Sequence, residues 1–347
     1  MKKTKTICFA NNKGGSGKST TCSNVGYGLR ELGYKVLLID GDMQLNLSLS
    51  LFDEDQVLAF AQSEKNLYEG LKRQDDLSGY IVHSEYEGLD LIPSSTLMSS
   101  IEYELFTKWQ REFILRKCLT QIKESGAYDY ILIDAPPTLG GWVMNILCAS
   151  DEIIIPVEST PWGLFGLGNM FEFLEEVRQI TPDLKLGGIV ITKVDTRKSY
   201  FKQTLETLKS LEDVPVFDTY IRVDSGIEWS QDNNAPIMAY KKSSRSATEY
   251  MELTKEIAKK VVSIQINDAY ERPYAAPVLR DESMHDRLAP GTGAKDTAGF
   301  VRMVREAGVS PLAVGVEVIS DAILAKGVEK AAAYTYENTV KKHGQSF

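Results

Sequence analysis

Residues 12–20 read Asn12-Lys13-Gly14-Gly15-Ser16-Gly17-Lys18-Ser19-Thr20. Glycines among small polar residues let consecutive backbone N–H groups turn inward as an anion nest, and a helix starting at Lys18 adds the positive end of its dipole. Such a loop suits a nucleoside triphosphate. Lys18 would reach the β- and γ-phosphates, the Ser19 hydroxyl would sit on Mg²⁺, and Thr20 would cap the helix or meet the α-phosphate. The ordinary pattern G-x-x-x-x-G-K-[ST] is broken at its first position, which is Asn12, and an extra cation, Lys13, precedes the glycine pair. Acids follow at the ends of two apolar runs: Asp40 and Asp42 after Leu37-Leu38-Ile39, and Asp134 after Ile131-Leu132-Ile133. Phosphoryl transfer to water needs an oriented nucleophile and a charge-neutralising metal, and carboxylates placed together can serve both needs. A third apolar run closes on Thr192-Lys193-Val194-Asp195.

These residues can cooperate only if one scaffold brings them to one edge. Short continuous apolar runs alternate with helix-like stretches. Thr6–Ala10, Lys35–Asp40, Tyr128–Asp134, Glu152–Val157, Leu186–Thr192 and Pro215–Ile221 read as strands, and Lys18–Leu32 reads as a helix ended by Gly33. Apolar strands without polar alternation, separated by helices, predict a parallel sheet covered on both faces. The expected fold class is α/β, a doubly wound, mostly parallel sheet of the P-loop NTPase type. Ligands of such sheets gather at the C-terminal strand ends, where the loop and all three acids fall.

Composition bounds the alternatives. The chain has 347 residues, 43% hydrophobic and 25% charged, with a net charge of −9. This excludes a disordered, collagen-like or small disulfide-stapled chain. The acidic balance argues against a uniformly basic DNA wrapper but allows a local basic patch. Cys8, Cys22, Cys118 and Cys148 are widely spaced and form no metal-binding cadence, so reduced thiols in a cytoplasmic protein are expected. No run approaches a membrane span, and the N-terminus lacks a signal-peptide core. Residues 1–268 hold 10 alanines and 29 basic against 38 acidic side chains; residues 269–347 hold 13 alanines and a balanced 10 against 10. That shift divides the chain into an ATPase-like part, 1–268, and an extension, 269–347, joined near Pro273 and Pro277.

The loop with its extra Lys13 resembles the deviant Walker A motif of the ParA/MinD ATPases, and the resemblance runs from about residue 3 to about residue 264. It implies a Mg²⁺-dependent ATP hydrolase that forms an ATP-sandwich homodimer, with Lys13 crossing to the partner's phosphates. Asp40-Gly41-Asp42-Met43-Gln44-Leu45-Asn46 resembles the family's D-x-D-P-Q-x-N switch I segment, with Met43 for proline. This implies that Asp42 positions or activates the attacking water and that Asp40 supports the metal shell. Ile131–Pro137 is similar to the family's switch II, which implies that Asp134 holds Mg²⁺ through water. Thr192 and Asp195 fall where the family lies beside adenine; the same T-K-x-D is also similar to the guanine-reading segment of signal-recognition-type GTPases, so a GTP-dependent targeting or assembly factor stands as an alternative.

Lys241, Lys242 and Arg245 are the candidate DNA-phosphate contacts. Phosphate contact needs only clustered cations. By resemblance Arg245 matches one of two arginines with which partitioning ParA proteins grip DNA phosphates; the other would fall near Gly226 and is absent. The resemblance implies non-specific DNA binding, a ParB-like activator, nucleoid association in the cytoplasm, and segregation of a plasmid, chromosome or mobile element. A MinD-like positioning ATPase acting on protein or membrane is the other alternative, although Glu252–Ile266 is amphipathic without the aromatics of a membrane helix. With strand one so near Met1, the chain resembles the short, Soj-like type. In the extension, Pro290–Gly293, a helix at Asp296–Ala307, a strand at Leu312–Ile319 and a long helix at Asp321–Lys342 resemble the C-terminal end of a xylose-isomerase-like TIM barrel. The other barrel strands are missing, so the expectation is a fused fragment without the metal chemistry that Glu317 serves in that family.

Overall fold

The apolar runs become strands buried on both faces. The computed structural model describes residues 4–211 and 214–267. Within them, seven strands form one sheet: β1 (Lys5–Phe9), β2 (Val36–Asp40), β3 (Val82–His83), β4 (Leu89–Ile92), β5 (Tyr130–Asp134), β6 (Glu152–Glu158) and β7 (Lys185–Thr192). Their order is β3-β4-β2-β5-β1-β6-β7. Every pairing is parallel except β3 on β4.

Alternate residues of each strand feed opposite layers. Leu37, Ile39, Ile131 and Ile133 enter one core; Val36, Leu38, Tyr130 and Leu132 enter the other. The helices that frame the site are α1 (Lys18–Glu31), α2 (Ile101–Phe106), α3 (Gly141–Ala149), α4 (Pro161–Ile180), α5 (Ser225–Asp232) and α6 (Arg245–Asn267). The first core takes Ile101 and Leu105 of α2, Val143 and Ile146 of α3, and Phe171 and Leu174 of α4. The second takes Val25 and Leu29 of α1 and Tyr250, Leu253 and Ile257 of α6. Neighbouring β1, β2 and β5 end together, with Phe9, Asp40 and Asp134 in register. That shared edge is the floor of the site.

Two strand expectations need correction. Pro215–Ile221 is not a strand; Val216 makes a single bridge to Ile189, and Arg222, just past the segment, makes another to Val194. Phe217 N–H donates to Ile189 and Ile221 N–H to Ile191, so four residues of this segment match two of β7. The surplus loops out, and the Asp218 and Thr219 N–H groups donate to the Glu256 carboxylate instead. In the other direction, β3 and β4 were not expected as strands.

The four cysteines are free and buried. No helix among the described residues is long and apolar enough to cross a membrane. The extension, 269–347, expected to resemble a TIM-barrel fragment, lies with Glu317 outside the described residues.

Candidate nucleotide site

The loop between β1 and α1 is shaped by its own backbone and held by three neighbours. Gly17 has φ +87°, a left-handed conformation that side-chain-bearing residues rarely adopt, and it caps α1 with no side-chain hydrogen bond. The first N–H groups of α1 are therefore presented to the loop as anion donors. Asn11 ties the loop to β6: its Nδ2 donates to the Pro156 carbonyl at 2.7 Å, while its Oδ1 accepts from Lys13 N–H at 3.0 Å. The Thr192 hydroxyl donates to the Ser16 carbonyl at 2.8 Å. Gln231 of α5 donates to the Thr20 hydroxyl at 2.8 Å.

The two lysines of the loop have different surroundings. Lys18 is 6% exposed, and its Nζ lies 3.4 Å from the Lys13 carbonyl. Burial pulls its pKa down, and the attraction of Asp134 and Asp42 opposes that pull. Lys13 turns toward its own chain: its Nζ lies 2.5 Å from Glu158 Oε2 and 3.2 Å from the Thr160 hydroxyl.

Of the three acids, Asp40 is fully occupied. Its Oδ2 accepts from Ser48 N–H at 2.8 Å and from the Ser48 hydroxyl at 2.6 Å, and its Oδ1 accepts from Asp42 N–H at 3.2 Å. Burial raises its pKa to about 6 against those hydrogen bonds. Asp40 thus organises the loop that carries Asp42. Asp42 is 6% exposed and accepts from Gln44 N–H at 3.1 Å.

Asp134 is different. It is 0% exposed, and among the described residues neither carboxylate oxygen makes a hydrogen bond of proper distance and angle. Burial and then the neighbouring Asp40 push its pKa well above the usual carboxylate range; Ser19 and Lys18 stand near enough to pull the other way. Asn12 Oδ1 and Ser16 Oγ are also buried without partners. Buried polar atoms are normally satisfied, so a cluster of orphans beside an anion nest marks a place built for polar ligand atoms. Mg²⁺ keeps several waters and is held by one or two protein groups together with substrate phosphates. The donor set of Ser19 and Asp134 fits that ion.

The remaining expected residues fall in two places. Asp195 is bound by Arg197, with Nε and Nη2 each 2.9 Å from a carboxylate oxygen, and this hydrogen bonding lowers its pKa to about 2. Thr192 is against the loop, whereas Asp195 faces the surface with its arginine. Lys241, Lys242 and Arg245 are exposed near the start of α6. Lys242 lies 3.4 Å from Glu31; Arg245 donates to the Val223 carbonyl at 2.7 Å and lies 3.5 Å from Glu249. Arg222, which the sequence did not single out, pairs with the same Glu249. Asn11, Ser48 and Glu158 were also missed. Asn11 and Glu158 act through partners distant in sequence, Ser48 reaches back to Asp40 across one short loop, and only the position of Glu158 at the end of an apolar run carried any local signal.

The AAA domain family matches residues 4–186. The sporulation initiation inhibitor protein Soj of Bacillus subtilis is 34% identical over 255 residues, 73% of this chain and 98% of that protein. The crystal structure of a putative plasmid partition protein from Borrelia burgdorferi bound to AMPPNP superposes with a TM-score of 0.62 at 28% identity, covering 75% of this chain and 100% of that one. Cobyrinic acid a,c-diamide synthase from Mycobacterium smegmatis, with bound ATP analog and magnesium, gives a TM-score of 0.64 at 28% identity over 79% of this chain and 100% of that one.

Proposed function

Because the chain belongs to the Soj/ParA family of partition ATPases, we propose that its ATP hydrolysis times the assembly of a homodimer that binds DNA without reading sequence. The observation that carries this reading is Asp134, buried with two unpartnered oxygens at the strand edge shared with Asp40 and facing an anion nest that holds Lys18. An ATP site with Mg²⁺ gives these groups their use.

Residues 13–20 would hold the phosphates through backbone N–H groups and Lys18. Ser19 and Asp134 would hold Mg²⁺, which when bound neutralises charge on the phosphoryl oxygens. Asp42 would orient the attacking water, and Asp40 would fix Asp42 through the loop that Ser48 closes. Thr192 supports the loop beneath the phosphates, and Asp195 would flank the base. Lys13 would leave Glu158 and reach the partner's phosphates. Lys241, Lys242 and Arg245, with Arg222 beside them, would meet DNA phosphates. A ParB-like activator would trigger hydrolysis and release the DNA, so that ATP sets the lifetime of a nucleoid-bound dimer. The ATPase unit is taken to span residues 1–268.

Co-sedimentation with DNA, under ATP, GTP, ADP or no nucleotide and at two salt concentrations, tests this reading. Binding only with ATP, weakened by salt, supports it. Equal binding with GTP would favour the guanine reading of Asp195. No DNA binding in any state would move the target to a protein or a membrane.

A further inference from the structure

The two loops that carry Asp42 and Asp134 are joined through one residue between them. Beyond the last paired residues of β2 and β5, Gly41 N–H donates to the Asp134 carbonyl at 3.0 Å. A Cβ on Gly41 would lie 2.6 Å from that same oxygen, so only glycine lets the two backbones approach this closely. The other side of the Gly41 residue is held as well: Trp142 Nε1–H donates to the Gly41 carbonyl at 2.8 Å. Trp142 is 3% exposed and sits in the first turn of α3, just after the loop that follows Asp134. Its own backbone N–H donates to Glu102 Oε1 of α2 at 3.1 Å. Gly41 is thus gripped at both its N–H and its carbonyl, and the next residue in the chain is Asp42.

We propose that Trp142 is a positioning residue for hydrolysis. Its indole N–H fixes the Gly41 carbonyl, sets the direction of the peptide leading into Asp42, and couples that loop to the one following Asp134. Trp142 itself touches no reacting atom. Packing alone does not account for the contact. An apolar side chain of similar size would fill the volume but leave the Gly41 carbonyl without this donor inside the protein, where an unmade hydrogen bond is costly. The inference rests on the reading of Asp42 only for which step the residue serves; the bond between the loops stands on its own geometry.

The test uses the full chain labelled with ¹⁵N-tryptophan. It has four tryptophans, Trp109, Trp142, Trp162 and Trp229, and loss of one indole resonance in Trp142→Phe assigns the signal. The Trp142 Hε1 proton should exchange with solvent far more slowly than that of Trp109, which is 85% exposed. Its resonance should move when ATPγS and Mg²⁺ are added. Replacing Trp142 by β-(3-benzothienyl)alanine keeps the fused-ring shape closely and puts a sulfur, which cannot donate, where the N–H was. This variant should lower kcat about tenfold, the rate equivalent of one buried hydrogen bond, with KM for ATP within about twofold of wild type. Wild-type kcat in that variant, or an indole proton that exchanges as fast as that of Trp109, would overturn the proposal. Asp42→Ala measured alongside separates the two readings: normal hydrolysis there removes the role given to Asp42, while indole protection and the kcat of the benzothienyl variant still decide the role of Trp142.

Discussion

Asp134→Asn should make the nucleotide-free protein more stable while abolishing its response to Mg²⁺ and ATP. The carboxylate is 0% exposed, both oxygens lack hydrogen-bond partners among the described residues, and Asp40 stands beside it in register. Lys18 and Ser19 favour the ionised form, yet the pKa still lies well above the ordinary range, so their help falls short of the cost of burial. A buried polar group without a partner costs about 1–3 kcal/mol, and a charge costs more. Replacing the ionisable carboxyl by a neutral amide should therefore return on the order of 1–3 kcal/mol, a rise in apo Tm of roughly 2–10 °C for a domain of this size. In the wild type, a ligand at about 100 times its Kd contributes about 2.7 kcal/mol, and the variant should lose most of that gain. Adding ligand should therefore erase most or all of the variant's lead. Thermal unfolding with EDTA, with Mg²⁺, and with Mg²⁺ and ATP reads both halves. An apo Tm below wild type, or an equal shift with Mg²⁺ and ATP in both proteins, would refute the reasoning.

Glu158→Gln should release Lys13. With both side chains 27% exposed the ion pair is worth about 1 kcal/mol, so ATP-dependent self-association, read by sedimentation velocity, should tighten about fivefold per subunit. Asp224→Ala should cost about 1–2 kcal/mol in urea unfolding at pH 7, because Asp224 caps α5 through Gly226 N–H and accepts from the Ser246 hydroxyl. The Ser246 hydroxyl, Gly226 N–H and Arg245 hold its pKa below the ordinary carboxylate value. Its contribution is therefore complete above about pH 4, and wild type and variant should converge as pH falls through the lower, folded-state pKa. Gly28→Ala should destabilise by about 1–2 kcal/mol, because the new Cβ would lie 2.5 Å from the Thr254 hydroxyl of α6. Adding Thr254→Ala should recover at least half of that loss, a coupling that a double-mutant cycle measures.

The loop, its helix and the strands beside it were legible because each carries its signal locally. The β1 run leads into glycines and then into α1, and β2 and β5 are apolar throughout because both faces are covered. The strand β4 was missed because LDLI is only four residues long and follows a polar, turn-like stretch. Pro215–Ile221 misled because its apolar residues mimic a strand while Glu256, distant in sequence, takes the N–H groups that a ladder needs. The same limit applies at the site. Asp40, Asp42 and Asp134 could be picked out by position, but their inequality could not. Ser48 and the Asp42 N–H occupy the Asp40 oxygens, whereas none of the described residues hydrogen-bonds those of Asp134, and neither fact can be read from residue type or spacing. Lys13 stood out by type, whereas its hold on Glu158 comes from the adjacency of β1 and β6.

Mixing two inactive variants tests the central claim, an ATP-bound dimer in which Lys13 completes the partner's site. Lys13→Ala and Asp42→Ala should each fail to hydrolyse ATP alone. If Lys13 acts across the interface, a mixed dimer holds one complete site, with Asp42 from the Lys13→Ala subunit and Lys13 from the Asp42→Ala subunit. Random exchange at equal concentrations should then restore about a quarter of wild-type activity. No recovery, with mixed dimers shown to form, would place Lys13 in its own subunit's site and contradict the account.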